Sequence, residues 1–166
     1  MLMLIPHGSD WDSYDAHQAF TETSGYGPFA KNLMTIVDGD IGMLHATFDP
    51  HPPSAALSAN NSVTEVLTAY FASKDESFDG NIRKFVDVLE GLEGFKAASG
   101  GWVIEDVEHE KIGEGGKGKA YVGVVGWESV EAHMRARETD AYKENVYLLR
   151  DGPVAMEVHY TTFKEI

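Results

Sequence analysis

Residues 127–136 read WESVEAHMRA, and residues 11–20 read WDSYDAHQAF, a near copy that lies 116 positions earlier. Over their first seven positions the two stretches share four identical residues and two exchanges between aspartate and glutamate. A repeated sequence predicts a repeated unit of structure, so this pair constrains the architecture more than any single motif. We therefore expect the chain to contain two copies of one fold unit, in whole or in part.

Both stretches carry the signal for the start of a helix. Ser13 and Ser129 are favourable N-cap residues, and a carboxylate two positions after each suits the positive end of a helix. Residues 119–127 are rich in β-branched and aromatic residues and predict a strand that ends at Trp127. A helix over residues 129–149 and a strand over residues 154–163 follow. The apolar stripe predicted for this helix consists of Val130, Met134, Ala141 and Leu148.

The first copy predicts the same order of elements. We expect a short strand and turn over residues 1–11, a helix interrupted near residues 25–28, and a strand over residues 40–48. Residues 49–62 are rich in proline, serine, alanine and asparagine and predict a linker. Residues 1–48 are therefore interpreted as a partial repeat, consisting of strand, helix and strand.

Residues 63–166 predict a complete unit around the second copy. The elements that precede it are a strand over residues 63–72, an amphipathic helix over 79–98, a strand over 100–112 and a glycine-rich connection over 113–119. The apolar residues of the helix run from Ile82 to Phe95. The resulting order, βαββαβ, is that of the ferredoxin-like fold. The fold class is therefore α+β, with an antiparallel sheet.

Composition excludes several kinds of partner. The 166 residues include 27 acidic and 13 basic side chains, for a formal net charge of −14. This charge repels nucleic acid and anionic membrane surfaces. Cysteine is absent, which removes disulfides and thiolate metal ligands from consideration and suits a cytoplasmic protein. The acidic segment at residues 105–111 alternates between two strand faces, so we predict no metal site there.

The complete unit resembles a known superfamily. A βαββαβ unit whose second helix opens with Trp127, Ser129 and Glu131 is similar to the dimeric α+β barrel proteins, particularly the antibiotic-biosynthesis-monooxygenase-like and stress-responsive members. The resemblance covers residues 63–166 well and 1–48 in part. It implies two sheets packed face to face into a dimeric α/β barrel. Because the first copy lacks a recognisable first strand, helix and second strand, we expect a homodimer to supply the second sheet.

The same resemblance implies a range of activities, because fold alone does not fix function. Superfamily members include cofactor-independent monooxygenases acting on polyketide aromatics, haem-degrading enzymes, cyclases, isomerases and proteins without a known reaction. Our leading hypothesis is a cofactor-free enzyme that begins by abstracting a proton from an aromatic or polyketide-like substrate. The alternatives are a haem-binding or haem-degrading barrel, with His133 or His159 as a candidate axial ligand, and a non-catalytic homodimeric binding module.

Candidate catalytic residues lie on the last predicted strand. His159 and Glu157 share one of its faces, and a histidine oriented by a carboxylate can act as a general base near neutral pH. We predict that His159 is the base and that Glu157 orients it. His45, in the corresponding strand of the first copy, is predicted to occupy a position related to that of His159. A buried or interfacial histidine without a catalytic role is the competing interpretation.

Candidate substrate-binding residues surround the repeated motif. Trp127 and Tyr121 share a strand face with Gly123, which leaves room for a planar ligand, and the resemblance places a cleft tryptophan near the position of Trp127. Tyr70, on the first strand of the complete unit, is predicted to shape the same cleft. His133 falls on the flank of its helix's apolar stripe, where it could bind ligand or pin the helix to its neighbour. Packing of these aromatic residues in the core is the alternative.

Overall fold

The computed structural model describes residues 11–35, 44–57, 63–113 and 116–163. The chain divides into two compact units, residues 1–45 and residues 46–166. The boundary lies close to the end of the predicted partial repeat. The assignment of residues 1–48, 49–62 and 63–166 as partial repeat, linker and complete repeat stays a prediction.

The larger unit contains the complete βαββαβ order. Its elements are α3 (Ser54–Leu57), β1 (Val63–Phe71), α4 (Ser77–Leu89), β2 (Phe95–Trp102), β3 (Val107–Glu108), β4 (Lys117–Trp127), α5 (Val130–Glu138), α6 (Asp140–Asn145), α7 (Tyr147–Arg150) and β5 (Ala155–Thr161). The smaller unit supplies α1 (Tyr14–Thr21) and α2 (Tyr26–Leu33). The strands of the larger unit form an antiparallel sheet in the order β2-β4-β1-β5, and β3 pairs with β4. The predicted α+β, ferredoxin-like fold is confirmed.

Strand alternation divides the sheet into two faces. On the first, which we call the helix face, Val63 and Trp127 pack with Phe85, Leu89 and the helices that follow Trp127. Apolar burial on this face is the main stabilising contribution of the unit, since its large side chains pack between sheet and helices. The second face, which we call the opposite face, carries the intervening residues of each strand.

Residues 46–57 cover part of the opposite face. Ala56 of α3 packs against Val66 of β1 and Val124 of β4. Asp49 exchanges two backbone hydrogen bonds with Gly100 at the edge of β2, with N···O distances of 2.8 and 3.3 Å. A segment within the predicted linker is therefore attached to the sheet by packing and by hydrogen bonds.

Two predicted boundaries of the larger unit are wrong. The helix predicted to reach residue 98 ends at Leu89, and Phe95 begins β2 instead of facing inward from a helix. Gly94 adopts a φ of +86°, a left-handed conformation that glycine favours and that cannot continue an α-helix. The strand predicted over residues 100–112 is divided between β2 and the two-residue β3.

The predicted helix over residues 129–149 is also divided. Thr139 is extended, with a ψ of 150°, and its side chain caps α6, so three short helices replace one. The predicted apolar stripe is partly wrong, because Met134 and Ala141 are exposed while Ala132, His133 and Ala136 are buried. Ser129 does cap α5 as predicted, since its side chain accepts a hydrogen bond of 3.0 Å from the backbone N–H of Ala132.

The smaller unit repeats this cap. Ser13 accepts a hydrogen bond from the backbone N–H of Ala16 at 3.0 Å, and α2 begins at Tyr26 where the interruption was predicted. The predicted strand over residues 1–11 lies almost wholly outside the described residues, as does the start of the one over 40–48. Residues 44–48 form no strand beyond an isolated bridge at Ala46.

We expect the substitution Trp127→Ala to lower the free energy of unfolding by about 3 to 5 kcal/mol, because Trp127 is fully buried and its removal leaves a cavity. Urea denaturation followed by circular dichroism measures this loss. Tyr147→Ala is the control, since Tyr147 is 59% exposed and its loss should change stability by less than about 0.5 kcal/mol. Equal effects of the two substitutions would contradict the placement of Trp127 in the core.

Candidate active site

A cavity of about 950 Å³ lies within the larger unit, on the helix face of the sheet. This volume lies at the upper end of the range of small-molecule sites. The cavity is lined by the middle of the sheet, by α4 and by the helices that follow Trp127. The polar and aromatic residues among those lining it include Glu65, Asp79, Trp102, Tyr121, Trp127, His133 and Tyr142.

A buried polar network forms one end of this cavity. The indole N–H of Trp127 donates to Oε2 of Glu65 at 3.0 Å. Nδ1 of His133 lies 2.7 Å from the Tyr160 hydroxyl and 3.4 Å from the same Glu65 oxygen. The rings of Trp127 and His133 stack, with centroids 4.6 Å apart and planes 11° from parallel. The ring of His133, on α5, is therefore held by side chains from three strands, β1, β4 and β5.

Burial sets the charge state of this network. It raises the pKa of Glu65 to about 7, although the hydrogen bond from Trp127 and the charge of Arg137 oppose the shift. Burial, together with Arg137, lowers the pKa of His133 to about 4. The imidazole is therefore neutral at physiological pH, and the Glu65 carboxyl changes its charge within the physiological range.

The second nitrogen of His133 is Nε2, and the residue lines the cavity. In the described part of the chain, every side-chain nitrogen or oxygen that is sealed from solvent has a hydrogen-bond partner. Among those same residues, Nε2 of His133 has no partner, although the residue is only 2% exposed. Nε2 is therefore reachable from the cavity. When Nδ1 carries the proton and donates it to the network, Nε2 presents a free lone pair.

The floor of the cavity is apolar and flat in its middle. Leu67, Gly123 and Gly100 lie side by side on β1, β4 and β2 in the register of the sheet. Two of these three positions carry no side chain, and the Tyr121 ring lies over one of them, Gly100. Because the walls from α4 contribute Ile82 and Phe85, this middle section suits a planar apolar ligand.

The predicted site residues fall into separate groups. Trp127, Tyr121 and His133 all line the cavity. Glu157 and His159 lie on the opposite face at the edge strand β5, where the side chain of His159 is 57% exposed. Tyr70 shares that face and donates a hydrogen bond to Glu157 at 3.1 Å. The structure therefore does not bring His159, Glu157 and Tyr70 together with the cavity residues, because strand alternation points them away from it.

His45 belongs to the smaller unit, where it contacts His17. Nε2 of His45 lies 2.6 Å from Nδ1 of His17, and the His17 ring packs on Trp11 with centroids 4.7 Å apart. This arrangement repeats the contacts of His133 with Tyr160 and Trp127. The counterpart of His45 is therefore Tyr160 and not His159, a difference of one residue in the register of the two copies.

Sequence reasoning missed Glu65. A signal was present, because Glu65 is the one charged residue in the otherwise apolar and hydroxyl-bearing strand VTEVLTAYF. A lone carboxylate in a strand whose residues are all buried must find partners or lose its charge. The identity of those partners, Trp127 and His133, depends on strand pairing across more than sixty residues.

The chain is similar to solved structures at low sequence identity. A candidate monooxygenase from Lactobacillus acidophilus NCFM is 16% identical with a TM-score of 0.52, and the match covers 89% of this chain and 64% of that protein. SnoaB, a cofactor-independent oxygenase from Streptomyces nogalater, is 15% identical with a TM-score of 0.46, and the match covers 64% of this chain and 96% of SnoaB. No protein-family model and no curated protein sequence matches the chain at a significant level.

Because these sequence identities are low, the comparisons show the fold of the chain and not its activity. The chain has a ferredoxin-like α+β fold, which it shares with the Lactobacillus structure, and the resemblance stated from the sequence is confirmed at the level of the fold. It spans less than two thirds of the Lactobacillus protein. Within the described residues, no helix is both long enough and apolar enough to cross a lipid bilayer.

We expect the tryptophan fluorescence to change with pH around a midpoint of about 7, because the Trp127 indole donates to a carboxyl group that ionises there. The chain contains three tryptophans, so the variant Glu65→Gln identifies the source of the signal. That variant should lose the transition while its spectrum at low pH stays close to that of the unsubstituted protein. A transition that persists in Glu65→Gln would show that Glu65 does not titrate beside Trp127.

Proposed function

We propose that the protein is a cofactor-independent monooxygenase for a planar aromatic or polyketide-like substrate, with the helix-face cavity as its active site. The observation that carries the proposal is the free Nε2 of His133. This atom belongs to a buried, neutral imidazole that lines the cavity, and the ring is held in place by Glu65, Tyr160 and Trp127. A neutral imidazole with one nitrogen free and the other oriented is the form that accepts a proton.

His133 is the general base in this proposal. Nε2 takes a proton from an acidic C–H or O–H group of the bound substrate, and the ring becomes an imidazolium. Ionised Glu65, 3.4 Å from Nδ1, stabilises that positive charge as the carboxylate of a catalytic triad does. Trp127 and Tyr160 keep the ring from rotating away from the substrate.

Dioxygen is the oxidant. The substrate anion passes one electron to O₂, and the two radicals combine to a peroxide on the same carbon atom. The second hydrogen of the CH₂ carbon then leaves as a proton, the O–O bond breaks, and the departing oxygen is released as water, so that CH₂ and O₂ give C=O and H₂O. His133 returns its proton to the departing oxygen, which restores the neutral imidazole.

We expect His133→Asn to lower the rate of oxygen uptake by about 100-fold or more, because removal of a general base has effects of that size. The Asn amide nitrogen can replace Nδ1 in the contact with Tyr160 but cannot accept a proton. Oxygen uptake with a panel of hydroxyanthrones and hydroxynaphthalenes measures the effect. His159→Asn is the matched control on the opposite face and should leave the rate unchanged.

The variants His133→Asn and His159→Asn also decide which of the two histidines is the general base. The assignment of His159 as base, made from strand alternation, stays a prediction. If His159→Asn abolished oxygen uptake while His133→Asn retained it, the helix-face cavity would not be the active site.

We expect kcat/KM to rise with pH and to level off above the pKa of Glu65, about 7, because only the ionised carboxylate stabilises the imidazolium. Glu65→Gln should lower the plateau and remove this step from the pH profile. Oxygen uptake between pH 5.5 and pH 9 gives the profile. A profile that falls through the same range would mean that protonated Glu65 is the active form.

The alternative functions predict different results in the same preparation. A haem protein would show strong absorption in the Soret region, and a binding module would take up no oxygen with any substrate of the panel. A homodimer and a cytoplasmic location, both expected from the sequence, stay predictions. The mass of the protein in solution tests the first.

A further inference from the structure

Tyr121 lines the cavity six residues before Trp127 on β4, away from the network around His133. The residue is 5% exposed, and its ring is held edge-on by Phe78 and Trp102, with centroids 5.4 and 5.6 Å away. Its hydroxyl lies over Gly100, where a Cβ atom would be only 2.7 Å from the phenolic oxygen. Because residue 100 is a glycine, the Tyr121 ring can lie over it on the cavity floor.

The hydroxyl group of Tyr121 has no hydrogen-bond partner among the described residues. A buried hydroxyl without a partner is unfavourable by about 1 to 3 kcal/mol, so such groups occur mainly where water or a ligand completes the bond. The oxygen is not sealed off, and Tyr121 lines the cavity. The packing of the Tyr121 ring therefore leaves its hydroxyl group, which lacks a hydrogen-bond partner, available to a ligand in the cavity.

This hydroxyl acts as a donor. Burial and the neighbouring Asp79 and Asp49 carboxylates raise the pKa of Tyr121 further above its usual value, so the proton stays on the oxygen at any physiological pH. A permanent phenolic O–H suits a carbonyl or hydroxyl oxygen of a ligand. Asp79 is already engaged, since both its carboxylate oxygens accept from the Trp102 indole at 3.1 Å.

The register of the strands gives the length of the cavity floor between Tyr121 and the network around His133. The Tyr121 hydroxyl lies over Gly100, which pairs with Gly123, and Trp127 is four residues further along β4. At about 3.3 Å per residue, this interval is roughly 13 Å. Its floor is Gly123 and Val125, with Leu67 beside them. An elongated planar ligand can lie along this floor between Tyr121 and His133.

We propose that Tyr121 is the distal anchor of the substrate, donating a hydrogen bond to an oxygen at the end of a planar ligand opposite to the group that His133 deprotonates. The inference rests on the proposed function and narrows its substrate class. The substrate is planar and carries a hydrogen-bond-accepting oxygen atom at the end opposite to the group that is deprotonated. Tyr121 binds and positions the substrate and takes no part in the proton transfer.

Two probes that differ by one oxygen test this assignment. 2,6-Dihydroxyanthraquinone has a hydroxyl at each end, and 2-hydroxyanthraquinone lacks the distal one. Isothermal titration calorimetry with the intact protein gives both dissociation constants. We expect Tyr121→Phe to weaken binding of the dihydroxy probe about 10-fold, the effect of one hydrogen bond, and to leave binding of the monohydroxy probe unchanged. Because the lost hydroxyl has no protein partner, thermal unfolding should be unaffected.

Two further variants locate the probes. Tyr70→Phe is the matched control, since it removes a phenolic hydroxyl from the opposite face, and it should change neither dissociation constant. Gly123→Val should weaken binding of both probes at least 10-fold by filling the floor. A Cβ at position 123 meets only Leu67, at 3.8 Å, so the backbone tolerates the substitution.

The outcomes separate this inference from the proposed function. If both probes bind and Tyr121→Phe changes both affinities equally or neither, Tyr121 is not the distal anchor, while the cavity and His133 remain as proposed. If Gly123→Val leaves both affinities intact, the ligand does not lie on this floor and the inference is wrong. If neither probe binds the unsubstituted protein, the distal anchor is wrong, whereas oxygen uptake that depends on His133 would still support the proposed function.

Discussion

The arrangement of the candidate active site depends on one buried carboxylate. Glu65 projects from the first strand of the sheet into the space under the helices, where it accepts the indole proton of Trp127 and lies beside His133. The position is unfavourable for a charge, and the raised pKa of Glu65 is the direct result. A hydrogen-bonded carboxylate nevertheless fixes the orientation of both rings, which an apolar residue at position 65 could not do.

The repeated motif acts first on folding. In both units a serine caps a helix and a histidine one turn later packs on the tryptophan that precedes the cap. The two copies differ in the third partner, which is His45 in the smaller unit and Tyr160 in the larger. The motif therefore accounts for a local structure, and the chemistry proposed for the larger unit requires Glu65 and a cavity in addition.

The two faces of the sheet have different surroundings. The helix face carries the cavity, whereas the opposite face is partly covered by residues 46–57 and carries Tyr70, Glu157 and His159 near its edge. We propose the reaction on the helix face because His133 is almost completely buried there, and proton transfer to a neutral imidazole is best controlled where water is largely excluded. His159, more than half exposed on an edge strand, lacks such surroundings.

The sequence by itself determined the local elements of this protein. Helix caps at Ser13 and Ser129, the strand ending at Trp127 and the βαββαβ order depend on neighbours within a few positions, so spacing and residue type predict them. Local spacing also failed at identifiable places, since the helix predicted to reach residue 98 ends at Leu89 and the extended Thr139 ends α5. Tertiary structure alone decided which face became a cavity and which residues met there. Glu65, Trp127 and His133 come together through strand pairing between distant parts of the chain, and no local pattern encodes that register.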